Sequence, residues 1–131
     1  MDRLFLDANV LVSAALKPDS RIAGLWLLEG VRLLGSPYVV AEARRNVADP
    51  AAATRLERLI DALALLPAEP ADFEIAGDPA LPLKDRPVLL AAIVAGADHL
   101  LTGDISHFGT CLGREFDGVT VTLPGEYLRG R

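Results

Sequence analysis

Cysteine is nearly missing from this chain: Cys111 is the only one among 131 residues. No disulfide can close within it, and a reducing cytoplasm is the expected setting. Aromatic side chains are scarce, at 5%, so the core falls to Leu, Val, Ile and Ala. Long apolar runs are also lacking. The longest, Val88 to Ala97, is far short of the roughly 20 residues that span a bilayer, and no membrane partner is expected. At the N-terminus Asp2 precedes the apolar stretch while Asp7 and Asn9 interrupt it, which makes a poor secretory signal. Basic charge is not in excess either: 18 acidic against 13 basic residues leave a net charge of −5. Proteins that grip nucleic acid through phosphates alone are usually basic, so that mode is disfavoured. Carboxylates that hold a divalent cation reverse the local field, and that route to a phosphate stays open.

Several catalytic signatures are absent too. His99 and His107 have no Cys or His partner at metal-ligand spacing, and structural or surface roles are expected for both. Ser13 and Ser36 lack a base, and neither a G-x-S-x-G elbow nor a phosphate-binding glycine loop occurs. No internal repeat is found. The chain is 51% hydrophobic and of a length that suits one α/β domain spanning 1–131.

Short apolar runs alternate with helical patterns. Leu4–Leu6 reads as a buried strand, followed by a helix from Asn9 to Leu16 that Lys17-Pro18 ends. Ser20 is placed to cap a second helix through about Glu29, stopped by Gly30, before a strand at Val31–Leu34. Ser36-Pro37 is a helix start of hydroxyl cap and first-turn proline, and that helix runs to about Ala48. A helix over Ala51–Ala62 and a strand over Leu63–Leu66 follow, then a loop or weak helix from Pro67 to Lys84. Pro87 to Ala95 is the most apolar helix, and His99–Thr102 and Val119–Leu123 are the last strands. Unbroken apolar strands alternating with helices indicate a parallel sheet covered on both faces.

In such sheets functional groups gather at the carboxyl ends of strands. Asp7 ends the first strand and Asp104, in LLTGD, ends the fourth. Each has a plain alternative, Asp7 as a helix cap and Asp104 as a turn residue. Thr102 lies on the same side as Asp104 by strand periodicity, either as a donor to it or as a β-favouring residue. Asp85, before RPVLLAAIVAGA, reads first as an N-cap, which does not exclude a role in a site. Glu42 flanks the apolar face of Val39, Val40, Ala43 and Val47, with Asn46 one turn on along the same edge. Arg44 and Arg45 make a small basic spot beside it, suited to a phosphate backbone or simply to solvent. Asp98 reads as a turn residue.

Were these four carboxylates to converge, one pair at ~4 Å would repel by roughly 4 kcal/mol at an effective dielectric of 20. A proton or a metal must intervene. All-oxygen ligands select a hard cation, Mg²⁺ or Mn²⁺, over zinc. Such a cation activates water and neutralises charge on a phosphoryl group.

LFLDANVLVSAAL, SPYVVAEARRNV, KDRPVLLAAIVAGADHLLTGDISHF and VTVTLPGEYL together resemble the PIN-domain family, and most of all the toxin components of bacterial toxin–antitoxin pairs. The resemblance implies a three-layer fold around a five-stranded parallel sheet of order 3-2-1-4-5. It implies Mg²⁺- or Mn²⁺-dependent cleavage of RNA leaving a 5′-phosphate and a 3′-hydroxyl, an antitoxin protein as partner, and a homodimer. By position Asp7, Glu42, Asp85 and Asp104 match the family's acidic quartet, as catalytic residues and metal ligands. Asn9 and Thr102 match its supporting polar residues, and Ser106 stands where some relatives carry another acid or amide. Two alternatives compete: a PIN-like RNA-binding domain without turnover, and a haloacid-dehalogenase-like phosphatase. The second fits the opening strand, but Asn9 replaces the Asp that serves there as general acid.

Overall fold

A computed structural model describes residues 1–131. Strands β1 (Asp2–Leu6), β2 (Val31–Gly35), β3 (Ala64–Leu65), β4 (His99–Leu101), β5 (Glu115–Phe116) and β6 (Val119–Thr122) form one sheet in the order β3-β2-β1-β4-β6-β5. Every pairing is parallel except β5 with β6. Without β5 the order is the expected 3-2-1-4-5. The extra edge strand comes from a hairpin whose central residues, Asp117 (φ 48°) and Gly118 (φ 89°), both adopt positive φ. Asp-Gly is the dipeptide that such a tight turn favours.

β1 lies in the centre with β2 on one side and β4 on the other, so the chain switches direction across the sheet between β1 and β4. Leu4, Phe5 and Leu6 are fully buried, as a strand covered on both faces requires. Helix α1 (Ala8–Leu16) packs on α2 (Pro37–Arg45) and α3 (Pro50–Asp61), and α4 (Arg86–Val94) packs on β2 and β4. Two short helices, α5 (Ile105–Phe108) and α6 (Pro124–Arg129), complete the fold. No helix is long and apolar enough to cross a membrane.

Three local expectations are corrected. The segment after Ser20 forms a 3₁₀ helix over Ile22–Leu27 rather than an α-helix to Glu29; the Ser20 hydroxyl still accepts from the Ala23 N–H at 3.3 Å, but Gly24 weakens any longer helix. α2 stops at Arg45, three residues before Ala48, because Asn46 ends it and donates its Nδ2 to the Glu42 carbonyl at 2.8 Å. Ser36 precedes Pro37 as expected, yet its hydroxyl caps nothing: it is fully buried and has no hydrogen-bond partner. The segment from Pro67 to Lys84 contains neither helix nor strand.

Candidate metal centre at the strand ends

Asp7 directly follows β1, and its backbone N–H continues the ladder by donating to the Leu101 carbonyl of β4 at 3.0 Å. Only 5% of the residue is exposed. Its Oδ1 accepts from the Ala8 N–H at 2.8 Å, the capping bond of α1. Its Oδ2 accepts from Thr102 Oγ1 at 2.9 Å and Asn9 Nδ2 at 3.0 Å. Asp7 is therefore a helix cap whose second oxygen is held by side chains from two elements. Burial pushes its pKa up to about 6. The Thr102 and Ala8 bonds oppose that rise, and the Glu42 and Asp85 charges add to it.

Thr102 is fully buried and ties the two strand ends together. Besides donating to Asp7, its Oγ1 accepts from the Asp104 N–H at 3.1 Å and from Asn9 Nδ2 at 3.3 Å. Asn9 Oδ1 accepts from the Gly103 N–H at 2.8 Å. Both ends of the Asn9 amide are thus engaged, and an amide N–H is in any case far too weak an acid to serve as a general acid.

Asp104 caps α5, where its Oδ1 accepts from the His107 N–H at 3.1 Å and the Ser106 hydroxyl at 2.9 Å. That fixes its other oxygen, Oδ2, at 2.8 Å from His107 Nδ1. Burial raises the Asp104 pKa, but the Ser106 and His107 hydrogen bonds outweigh it, with the nearby His107 and Lys84 charges in support, and the net shift is downward. Asp85 sits at the start of α4 without capping it, contrary to the simplest reading of its position. Its Oδ2 instead lies 3.0 Å from the same His107 Nδ1. Burial raises the Asp85 pKa, partly offset by His107 and Lys84.

His107, for which a structural or surface role was expected, stands between two of the four acids. The signal was its position three residues after a helix-capping Asp, which brings the ring back over the cap. His99 does have the expected structural role: its Nδ1 is 2.8 Å from Thr122 Oγ1, and its ring packs edge-on against Tyr127.

Asp7, Glu42, Asp85 and Asp104 line one cavity of about 550 Å³, together with Asn9 and Asn46. Lys84 is the only basic residue in its wall. It had not stood out in the sequence, and Tyr38 braces it by donating its hydroxyl to the Lys84 carbonyl at 2.7 Å. Ser106 stands behind Asp104. Arg44 is bound in an ion pair with Glu57 of α3 at 2.7 Å, while Arg45 is exposed. The ligand atoms that gather within 4.8 Å of one another belong to Asp85, Asp104 and His107; Asp7 and Glu42, also expected as ligands, line the cavity but stand outside that group. Asp85 Oδ2 and His107 Nδ1 are both buried with no hydrogen bond of acceptable geometry, despite their 3.0 Å approach. Orphaned donor atoms facing one another among gathered carboxylates fit a divalent cation.

Residues 3–106 match the sequence model of the PIN domain. The chain belongs to the PIN domain family. No curated protein matches it in sequence, but solved structures share its fold. VapBC2 from Rickettsia felis, bound to a DNA fragment from its promoter, has a chain that superposes with a TM-score of 0.64 at 19% identity, covering 92% of this chain and 98% of that one. VapBC-1 from nontypeable Haemophilus influenzae gives 0.58 at 15% identity, covering 94% and 98%. VapC20 from Mycobacterium tuberculosis, a toxin that cleaves the sarcin-ricin loop, gives 0.54 at 19% identity, covering 79% and 92%. Membership of the PIN family sets the phosphatase alternative aside.

Proposed function

We propose that this PIN domain is a metal-dependent endoribonuclease and the toxin of a toxin–antitoxin pair. One observation carries the reading: Asp7, Glu42, Asp85 and Asp104, from four separate segments, line a single cavity at the switch point of the sheet. Similarity to chains from two VapBC assemblies and to an RNA-cleaving toxin supports the substrate class and an antitoxin partner. A homodimer and a cytoplasmic setting belong to the same proposal.

Asp104 and Asp85 would hold the cation, with Asp7 and Glu42 completing the acidic wall. Mg²⁺ or Mn²⁺, when bound, supplies an activated water and neutralises charge on the scissile phosphate. Thr102 and Asn9 keep the Asp7 carboxylate in one orientation and share its charge. Ser106 does the same for Asp104 by holding Oδ1, which leaves Oδ2 facing His107. Lys84 meets the phosphate backbone at the cavity wall, and Arg45 and Asn46 extend that contact along α2. Arg44 contributes less, being neutralised by Glu57.

The test is cleavage of an RNA panel with Mn²⁺ or Mg²⁺, with and without chelator, followed by analysis of the ends. Metal-dependent cleavage leaving 5′-phosphate and 3′-hydroxyl is expected. Tight RNA binding without cleavage in either metal would favour the non-catalytic PIN-like alternative.

A further inference from the structure

His107 lies outside the acidic quartet and beside the cavity wall, yet its Nδ1 approaches two of the four acids to within 3.0 Å. We infer that His107 Nδ1 is a direct ligand of the cation, so that the centre is a mixed nitrogen–oxygen site favouring Mn²⁺ or a later first-row divalent ion over Mg²⁺. This inference rests on the metal-dependent reading above.

The distances suit ligands of one cation as well as they suit an ion pair, and the hydrogen-bond alignment favours ligands. Nδ1 lies 2.8 Å from Asp104 Oδ2 and 3.0 Å from Asp85 Oδ2. Adjacent donors of an octahedral ion with bonds of about 2.1 Å stand about 3 Å apart. A ring nitrogen carries at most one proton, which serves only one of two carboxylates. Here the contact with Asp85 serves neither atom as a hydrogen bond, since both are buried without an aligned partner. A cation in reach of all three satisfies them together.

The ring is also built into place. Asp104 caps α5 through the His107 N–H, so the backbone that carries the imidazole is anchored to the carboxylate it faces. The Ser106 bond fixes the rotation of that carboxylate. Oxygen-only centres suit Mg²⁺, whereas imidazole suits transition metals. One nitrogen ligand therefore moves the preference of this chain away from Mg²⁺.

The experiment uses the full-length protein and Mn²⁺ as probe. Pulsed electron paramagnetic resonance of the Mn²⁺-loaded protein should show coupling to an imidazole ¹⁴N, lost in His107→Ala and in His107→Asp. Calorimetric titration should show Mn²⁺ affinity at least about tenfold weaker in His107→Ala, while His107→Asp regains affinity with a lower Mn²⁺-to-Mg²⁺ preference. A circular dichroism melt confirms folding, and wild-type protein supplies the coupling test regardless of either variant. Mn²⁺ bound to wild type without ¹⁴N coupling would overturn the inference and leave the proposed function intact. Unchanged or tighter Mn²⁺ binding by His107→Ala would also overturn it, by showing that the ring competes with the ion. Wild type that binds Mg²⁺ but not Mn²⁺ would overturn the inference alone, and wild type that binds neither ion would overturn both readings.

Discussion

At Asp7 burial and hydrogen bonding pull against each other. Desolvation lifts its pKa from 3.8 to about 6 in spite of the Thr102 and Ala8 bonds. Folded protein thus binds this proton more tightly than unfolded chain does. Stability from protonated Asp7 is full below the unfolded value of 3.8 and is lost as pH rises through about 6. At about 1.4 kcal/mol per pK unit, the loss is about 3 kcal/mol. In chelator, urea unfolding of wild type and Asp7→Asn should therefore diverge as pH rises from about 4 to about 7, the variant becoming relatively more stable. A stability difference independent of pH would contradict this. Thr102→Val removes the buried donor to Asp7 and the acceptor for the Asp104 N–H. It should destabilise the protein by about 2 kcal/mol in chemical denaturation, since one lost bond is to a charged group. Both carboxylates of this pair were legible from their places at strand ends. His107 was not, because its place three residues after Asp104 becomes a signal only once Asp104 is known to cap the helix.

At the scale of elements, two helix starts of similar appearance behave differently. Asp49 caps α3 by accepting from the Ala52 N–H at 2.9 Å, and Asp49→Ala should cost about 1 kcal/mol. Ser36 precedes α2 with the same Ser/Asp-then-Pro logic, but its buried hydroxyl has no partner. Ser36→Ala should accordingly be neutral or slightly stabilising, measured as a change in thermal midpoint. A loss comparable to that of Asp49→Ala would show that Ser36 is bonded after all. Helix and strand positions followed from apolar spacing and from proline and glycine punctuation. Cap chemistry did not follow, because composition places a Ser or Asp at a helix start without fixing which way the side chain turns. Asp85 illustrates the point: its residue type and position suit a cap, and the fold turns it toward His107 instead. The β5–β6 hairpin had a signal, Asp117-Gly118, but two-residue strands are too short for a period-2 pattern to emerge.

For the whole molecule, the parallel order of the sheet brings residues distant in sequence to one cavity. Asp7 and Asp104 meet because β1 and β4 are neighbours, and Glu42 and Asp85 arrive on the helices that follow β2 and precede β4. Asp7, Glu42, Asp85 and Asp104 share a cavity with one lysine in its wall, so an ion that neutralises them should bind the folded state and not the unfolded one. Mn²⁺ at about 100 times its dissociation constant should raise unfolding stability by about 2.7 kcal/mol. Differential scanning calorimetry of wild type and Asp104→Asn checks this, and an equal Mn²⁺ effect on both would place the ion elsewhere.

The most direct measurement is single-turnover RNA cleavage in Mn²⁺ by wild type, Asp7→Asn and Asp104→Asn, each verified as folded. The account predicts cleavage by wild type, abolition by chelator, and a loss of at least about a hundredfold in either variant, the equivalent of about 2.7 kcal/mol in the barrier. Undiminished cleavage by both variants would contradict it.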